Sequence, residues 1–132
     1  MEIKFKMKKL ILTLLIILAS LVSFSQESAM GRAYQFYLGE ITYEDEIKWV
    51  KGPVAVDILV QFNDHEVIIY SEDHQVYQVV KEMGRKDDTV MWKATDKKGK
   101  NCWLFLTELD ESNAALTIRY GDYAWMYICT AE

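Results

Sequence analysis

The sequence predicts an all-β fold, an antiparallel up-and-down meander of about eight strands that forms a small barrel or a strongly curved sheet. Three observations carry this. First, Val56, Ile58, Val60 and Phe62 alternate with Asp57, Leu59 and Gln61, the period of two of a half-buried strand. Asn63-Asp64-His65 interrupts that run, and Glu66 to Tyr70 resumes it. Second, turn-forming residues recur every eight to twelve positions from Ala33 onward. Third, no segment between Gln26 and Glu132 sustains a 3.6-residue apolar period long enough for a helix.

Taken in order, Ala33 to Tyr43 reads as an aromatic-rich strand that ends at the acidic corner Glu44-Asp45-Glu46. Ile47 to Val50 is short and is kinked by Gly52-Pro53. The only proline therefore belongs on an edge or at a bulge. In the hairpin that follows, a two-residue Asp64-His65 loop sets Phe62 against Val67, Val60 against Ile69 and Ile58 against Ser71. A slip of one residue would turn a whole apolar face to water, which fixes this register. Gln75 to Met83 is the next strand and Gly84 to Asp88 a loop. Thr89 to Thr95 follows, with Val90, Trp92 and Ala94 on one face. Asp96 to Lys100 turns the chain into Asn101 to Leu109, and Asp110 to Asn113 into Ala114 to Tyr120. Gly121-Asp122 then leads to Tyr123 to Thr130. Closure into a barrel is favoured because an open sheet of this size leaves two edges to protect.

Ahead of this domain, Lys4, Lys6, Lys8 and Lys9 precede an apolar run from Leu10 to Val22. Ser23 and Ser25 then place small residues at −3 and −1 of a cleavage site before Gln26. The run is too short for a spanning helix, so residues 1–25 are expected to be a secretory signal and residues 26–132 a single β domain. The expected location is periplasmic or extracellular. The chain has 15 Lys and Arg and 20 Asp and Glu; residues 1–25 hold four lysines and one glutamate, so the remainder carries 11 against 19, a net −8. That balance argues against nucleic acid, which needs cationic stripes to replace counterions, and against anionic lipid.

The order Val56-Asp57-Ile58-Leu59-Val60, Ile68-Ile69-Tyr70-Ser71, Gln75-Val76-Tyr77, Trp92-Lys93-Ala94-Thr95-Asp96 and Trp125-Met126-Tyr127 resembles small exported all-β proteins of Bacteroidetes. So does the signal ending Ser23-Phe24-Ser25-Gln26. The resemblance implies an exported small β protein and brings no catalytic or binding residue with it. A lipocalin is disfavoured, since no Gly-x-Trp lies near the first strand.

Few residues point to chemistry. His65 and His74 fall in turns at opposite ends of one strand, about 20 Å apart, and so cannot share a metal; no metal or cofactor is expected. Cys102 begins one strand and Cys129 ends the strand two further on, which places them too far apart for a disulfide. There is no Gly-x-Ser-x-Gly elbow and no glycine-rich phosphate loop. Carboxylate pairs lie in turns, and those inside strands, Asp57 and Glu108 among them, stand singly, so no catalytic residue is assigned. The most informative cluster is aromatic. A two-residue Gly121-Asp122 loop pairs Tyr120 with Tyr123, Ile118 with Trp125 and Leu116 with Tyr127 on one face. Ala115, Thr117, Arg119, Ala124, Met126 and Ile128 then share the other. Tyr120, Tyr123, Trp125 and Tyr127 are either an ordinary core wall or the lining of a ligand site. The sequence thus supports a non-enzymatic exported β protein with a small apolar ligand or a protein partner. The alternative is a small extracytoplasmic hydrolase using carboxylates that sequence cannot pair.

Overall fold

The computed structural model describes residues 28–132. The export signal expected over residues 1–25 lies outside the described residues. Eight strands follow one another in the described chain: β1 (Ala29–Ile41), β2 (Ile47–Phe62), β3 (Glu66–Ile69), β4 (Gln75–Lys86), β5 (Thr89–Thr95), β6 (Asn101–Glu108), β7 (Asn113–Arg119) and β8 (Tyr123–Ala131). Each pairs antiparallel with its neighbour in sequence. β8 returns to β1, with Phe36 opposite Tyr127, and closes the barrel.

The two registers expected from loop parity are present. Asn63 N donates to Glu66 O across Asp64-His65, and Phe62 faces Val67 while Val60 faces Ile69. Asn63 Oδ1 fixes that turn by accepting from the backbone N–H of His65 and Glu66. At the other hairpin Tyr120 N donates to Tyr123 O, Ile118 faces Trp125 and Leu116 faces Tyr127. Ile58 and Ser71 do not meet, because the β2–β3 ladder stops at Val60 and Ile69. Tyr70 N makes one last bond to Leu59 O, and Ser71 Oγ then turns the chain by donating to Asp73 O.

Two boundaries differ from the sequence reading by more than two residues. β1 begins at Ala29 rather than Ala33, since Met30 and Gly31 still pair with Gln61 and Val60. β4 runs to Lys86, through the stretch expected to be a loop. Gly84 takes a φ of 131° at a bulge, and Arg85 and Lys86 then resume pairing with Val90 and Thr89. Only glycine enters that conformation cheaply, so the residue that reads as a loop marker serves as a strand bulge.

Alternation sends one set of side chains inward. Val60, Ile69, Val90, Leu104, Leu106, Leu116 and Ile118 are essentially inaccessible to solvent. Burying a side chain of this size is worth about 1.5–3 kcal/mol, so this aliphatic column is the main source of stability. The outward face of β7 and β8 is also largely dry. Thr117 lies in register between Phe105 and Met126, and Ala115 between Thr107 and Ile128, so larger neighbours cover the small residues.

The ring is uneven. β3 covers only the last few residues of β2, and among the described residues no strand pairs with the edge of β2 that faces away from β1 between Ile47 and Ile58. Pro53, without an N–H, sits in the middle of this edge between Lys51 and Asp57, which discourages pairing with another strand. Gly52 has a φ of 120°, and a Cβ there would come within 2.7 Å of Phe36 O. The kink read from Gly52-Pro53 is therefore an edge bulge within one strand.

Candidate functional site: the mouth of the barrel

Turns at residues 42–46, 70–74, 96–100 and 120–122 gather at one end of the barrel; the other turns and residues 28 and 132 lie at the opposite end. That opposite end is filled. A void of about 20 Å³ remains there among Gly31, Phe62, Leu106, Ala114 and Cys129, and its lining is too apolar to hold water. The first end is open. A mouth of about 870 Å³ lies between the 71–77 segment, the 96–100 turn and the β7–β8 hairpin.

One wall of the mouth is aromatic. Tyr120 and Tyr123 are stacked with centroids 5.0 Å apart, and Tyr123 and Trp125 are stacked at 5.6 Å. Tyr120 and Trp125 are 5.5 Å apart and tilted by 35°. The three rings tile one shelf because the hairpin register puts them on neighbouring inward positions. Lys100 reaches over it, its Nζ 5.0 Å from the Tyr120 centroid and 5.5 Å from that of Tyr123. Tyr127, the fourth residue singled out from sequence, is buried below the shelf and packs on Phe36 at 5.3 Å. The structure thus brings Tyr120, Tyr123 and Trp125 to the mouth and leaves Tyr127 in the floor.

The floor is polar and is organised by Gln75, the first residue of β4. Its Oε1 accepts from Tyr77 OH at 2.6 Å and from Trp125 Nε1 at 3.2 Å. Its Nε2 donates to Tyr127 OH at 2.9 Å and to Ser71 Oγ at 3.1 Å. An indole N–H can only donate, so the amide oxygen must face Trp125, which fixes the orientation of the group. Burial raises the pKa of Tyr77 and of Tyr127, and both phenols remain protonated in neutral solution.

Asp96 anchors the basic lip. Its Oδ1 accepts from the backbone N–H of Lys98 and Lys100, both at 2.9 Å, and its Oδ2 from Tyr120 OH at 2.8 Å. Burial pushes the Asp96 carboxyl up. The Lys100 N–H, the Tyr120 hydroxyl and the Lys98 N–H outweigh this and hold its pKa below the ordinary value. Tyr120 is driven upward by burial and by that same bond to Asp96. Beneath them Cys102 is buried, and burial pushes its thiol up to about 11, so it is a neutral thiol at physiological pH. Cys129, buried at the opposite end, is pushed up to about 12, and neither cysteine is bridged.

The remaining sequence candidates lie elsewhere. His65 and His74 occupy opposite ends of β3; His65 Nε2 lies 2.9 Å from Asp64 Oδ2, and His74 packs edge-on against Tyr70 at 5.0 Å. Asp57 points outward and pairs with Arg32 at 2.7 Å, while Glu108 is buried at the filled end of β6. Sequence reasoning passed over Gln75, Tyr77, Asp96 and Lys100. The available signal was parity: Gln75 shares the inward face with Tyr77, and an amide at an inward position needs partners inside.

Comparison of the chain with protein-family models, with curated proteins and with solved structures finds no match.

Among the described residues, every buried side-chain nitrogen and oxygen has a hydrogen-bond partner. The floor is therefore a finished platform, and above it the mouth exposes ring faces, the ammonium groups of one lip and the Glu72, Asp73 and His74 side chains of the other. Asp96, ionised and engaged on both oxygens, is a turn anchor rather than an acid positioned to give up a proton.

Proposed function

We propose that this chain is an exported, periplasmic or extracellular, non-enzymatic barrel that binds a small, largely apolar molecule at its mouth. The observation that carries the reading is the contrast between a filled barrel interior and one open, aromatic-walled mouth of about 870 Å³. Concave sites with apolar walls and a few fixed polar groups are where small ligands bind. An occupant would cover the exposed faces of Tyr123 and Trp125 and stabilise the fold by mass action.

The experiment is native mass spectrometry of protein purified from its own host, with a thermal-shift screen of lipids and aromatic compounds. Retained mass, or stabilisation that Trp125→Ala or Tyr123→Ser abolishes, supports the reading. Protein that elutes empty and is stabilised by no compound would sink it, and a protein partner on the outer surface would take its place. Export is tested separately: intact mass of secreted material should begin at Gln26.

A further inference from the structure

The ligand class follows from the charges around the shelf, and the inference rests on the mouth-binding reading. Residues 97–100 place Lys97, Lys98 and Lys100 on one lip, against the chain's net charge of −5. Among the described residues, no carboxylate lies within 4.0 Å of any of these three lysines. The nearby carboxylate, Asp96, is engaged on both oxygens. Lys100 instead spreads its charge over the faces of Tyr120 and Tyr123. A cation–π contact at an exposed site is weaker than a charge-assisted hydrogen bond, so an anion arriving on the shelf captures the ammonium group. Across the mouth, the 71–74 turn carries Glu72 and Asp73, which repel an anion from that side.

We infer that the mouth takes a ring with one apolar face and a carboxylate on its rim, the face on Tyr123 and Trp125 and the carboxylate at Lys100. Aromatic acids and hexuronic-acid sugars share this chemistry: the first offers a flat π face, the second the C–H face of its pyranose chair, and each has one anionic group at its rim. The acidic lip sets the direction of binding. The carboxylate lies toward the 96–100 turn and the ring body toward Trp125.

The test uses two matched pairs by isothermal titration: 2-naphthoate against 2-naphthamide, and a hexuronic-acid disaccharide against its neutral hexose counterpart. The carboxylate of at least one pair should bind about tenfold tighter than its neutral partner, and that pair names the source. Lys100→Met keeps most of the apolar stem and removes the charge, so it should erase the difference between the two members of that pair. Lys93→Met, on the outward face of β5, makes the same change in net charge and should preserve the difference. If Lys93→Met weakens the carboxylate as much as Lys100→Met does, the effect is diffuse charge and the assignment to Lys100 is overturned. If neutral and charged members bind equally, the charge inference falls and mouth binding stands. If none binds and the Trp125 indole N–H resonance does not move in any titration, both readings fall together.

Discussion

The two ends of the barrel obey the same strand alternation and reach opposite outcomes. At the filled end the inward positions are mainly apolar, Phe62, Leu106 and Cys129 among them, with Glu108 a buried carboxyl at the end of β6, and the apolar side chains close to a void of about 20 Å³. At the mouth the inward positions are Gln75, Tyr77, Tyr120, Tyr123 and Trp125, and each carries a polar tip. Apolar groups pack in whatever way fills space. A buried hydroxyl, amide or indole N–H must also meet a partner at a set distance and angle, which holds the rings upright around Gln75. Inward-facing residues therefore fill the barrel only where their chemistry lets them collapse.

That difference predicts a gradient of mutational cost. Leu106→Ala at the filled end should cost the most, about 3 kcal/mol in urea unfolding, because it enlarges a void with no polar group to admit water. Trp125→Ala should cost less, about 2 kcal/mol. The indole is only half-buried and water replaces it at the mouth, although Gln75 Oε1 loses one donor. A larger loss for Trp125→Ala than for Leu106→Ala would invert the comparison and make the mouth part of the load-carrying core.

Asp96→Ala should cost about 1 kcal/mol, since the 96–100 turn and Tyr120 lose their common acceptor. Its pH dependence has a definite sign. The folded-state pKa lies below the ordinary 3.8, so the unfolded chain takes up the proton first. The stability Asp96 contributes is complete above that value and is lost as pH falls through the lower folded value. Melting curves of Asp96→Asn should therefore be less steep in pH below about 4 than those of the native protein. Tyr123→Ala should change stability least, within about 0.5 kcal/mol, while removing ring surface from the shelf. If Tyr123→Ala proved as costly as Leu106→Ala, the shelf would be structural.

The same contrast explains which parts of the molecule could be read from its sequence. Registers such as Phe62–Val67 and Ile118–Trp125 were readable because a two-residue loop and a period of two leave one arrangement that keeps apolar groups inside. The aromatic wall followed from that register. The floor did not, because Gln75 meets Trp125 and Tyr127 from 50 and 52 residues away, and nothing near Gln75 in the chain signals those partners. Lys97 to Lys100 reads locally as a solvated turn, and it is the β6–β7 ladder, with Trp103 opposite Arg119, that brings Lys100 to Tyr120. β4 was read short for a different reason: Gly84 has the same composition signal in a loop and in a bulge.

β3 is four residues long, and the ring closes between β2 and β4 only through it. The seam between β2 and β4 is held by these few ladder pairs alone, so spontaneous opening starts there, where the fewest bonds must break together. Amide hydrogens of Val67 and Ile68 should therefore exchange by brief local opening, faster than those of Leu104 or Leu116, which await global unfolding. The lip that bears Glu72, Asp73 and His74 is tethered directly to this seam. Opening of β3 would free this side of the mouth, whereas the other lip stands on the seven-pair β5–β6 and β7–β8 ladders. For a ligand bound as proposed, entry and exit would then follow the opening of a four-residue strand, and stiffening β3 would slow both rates before it changed affinity.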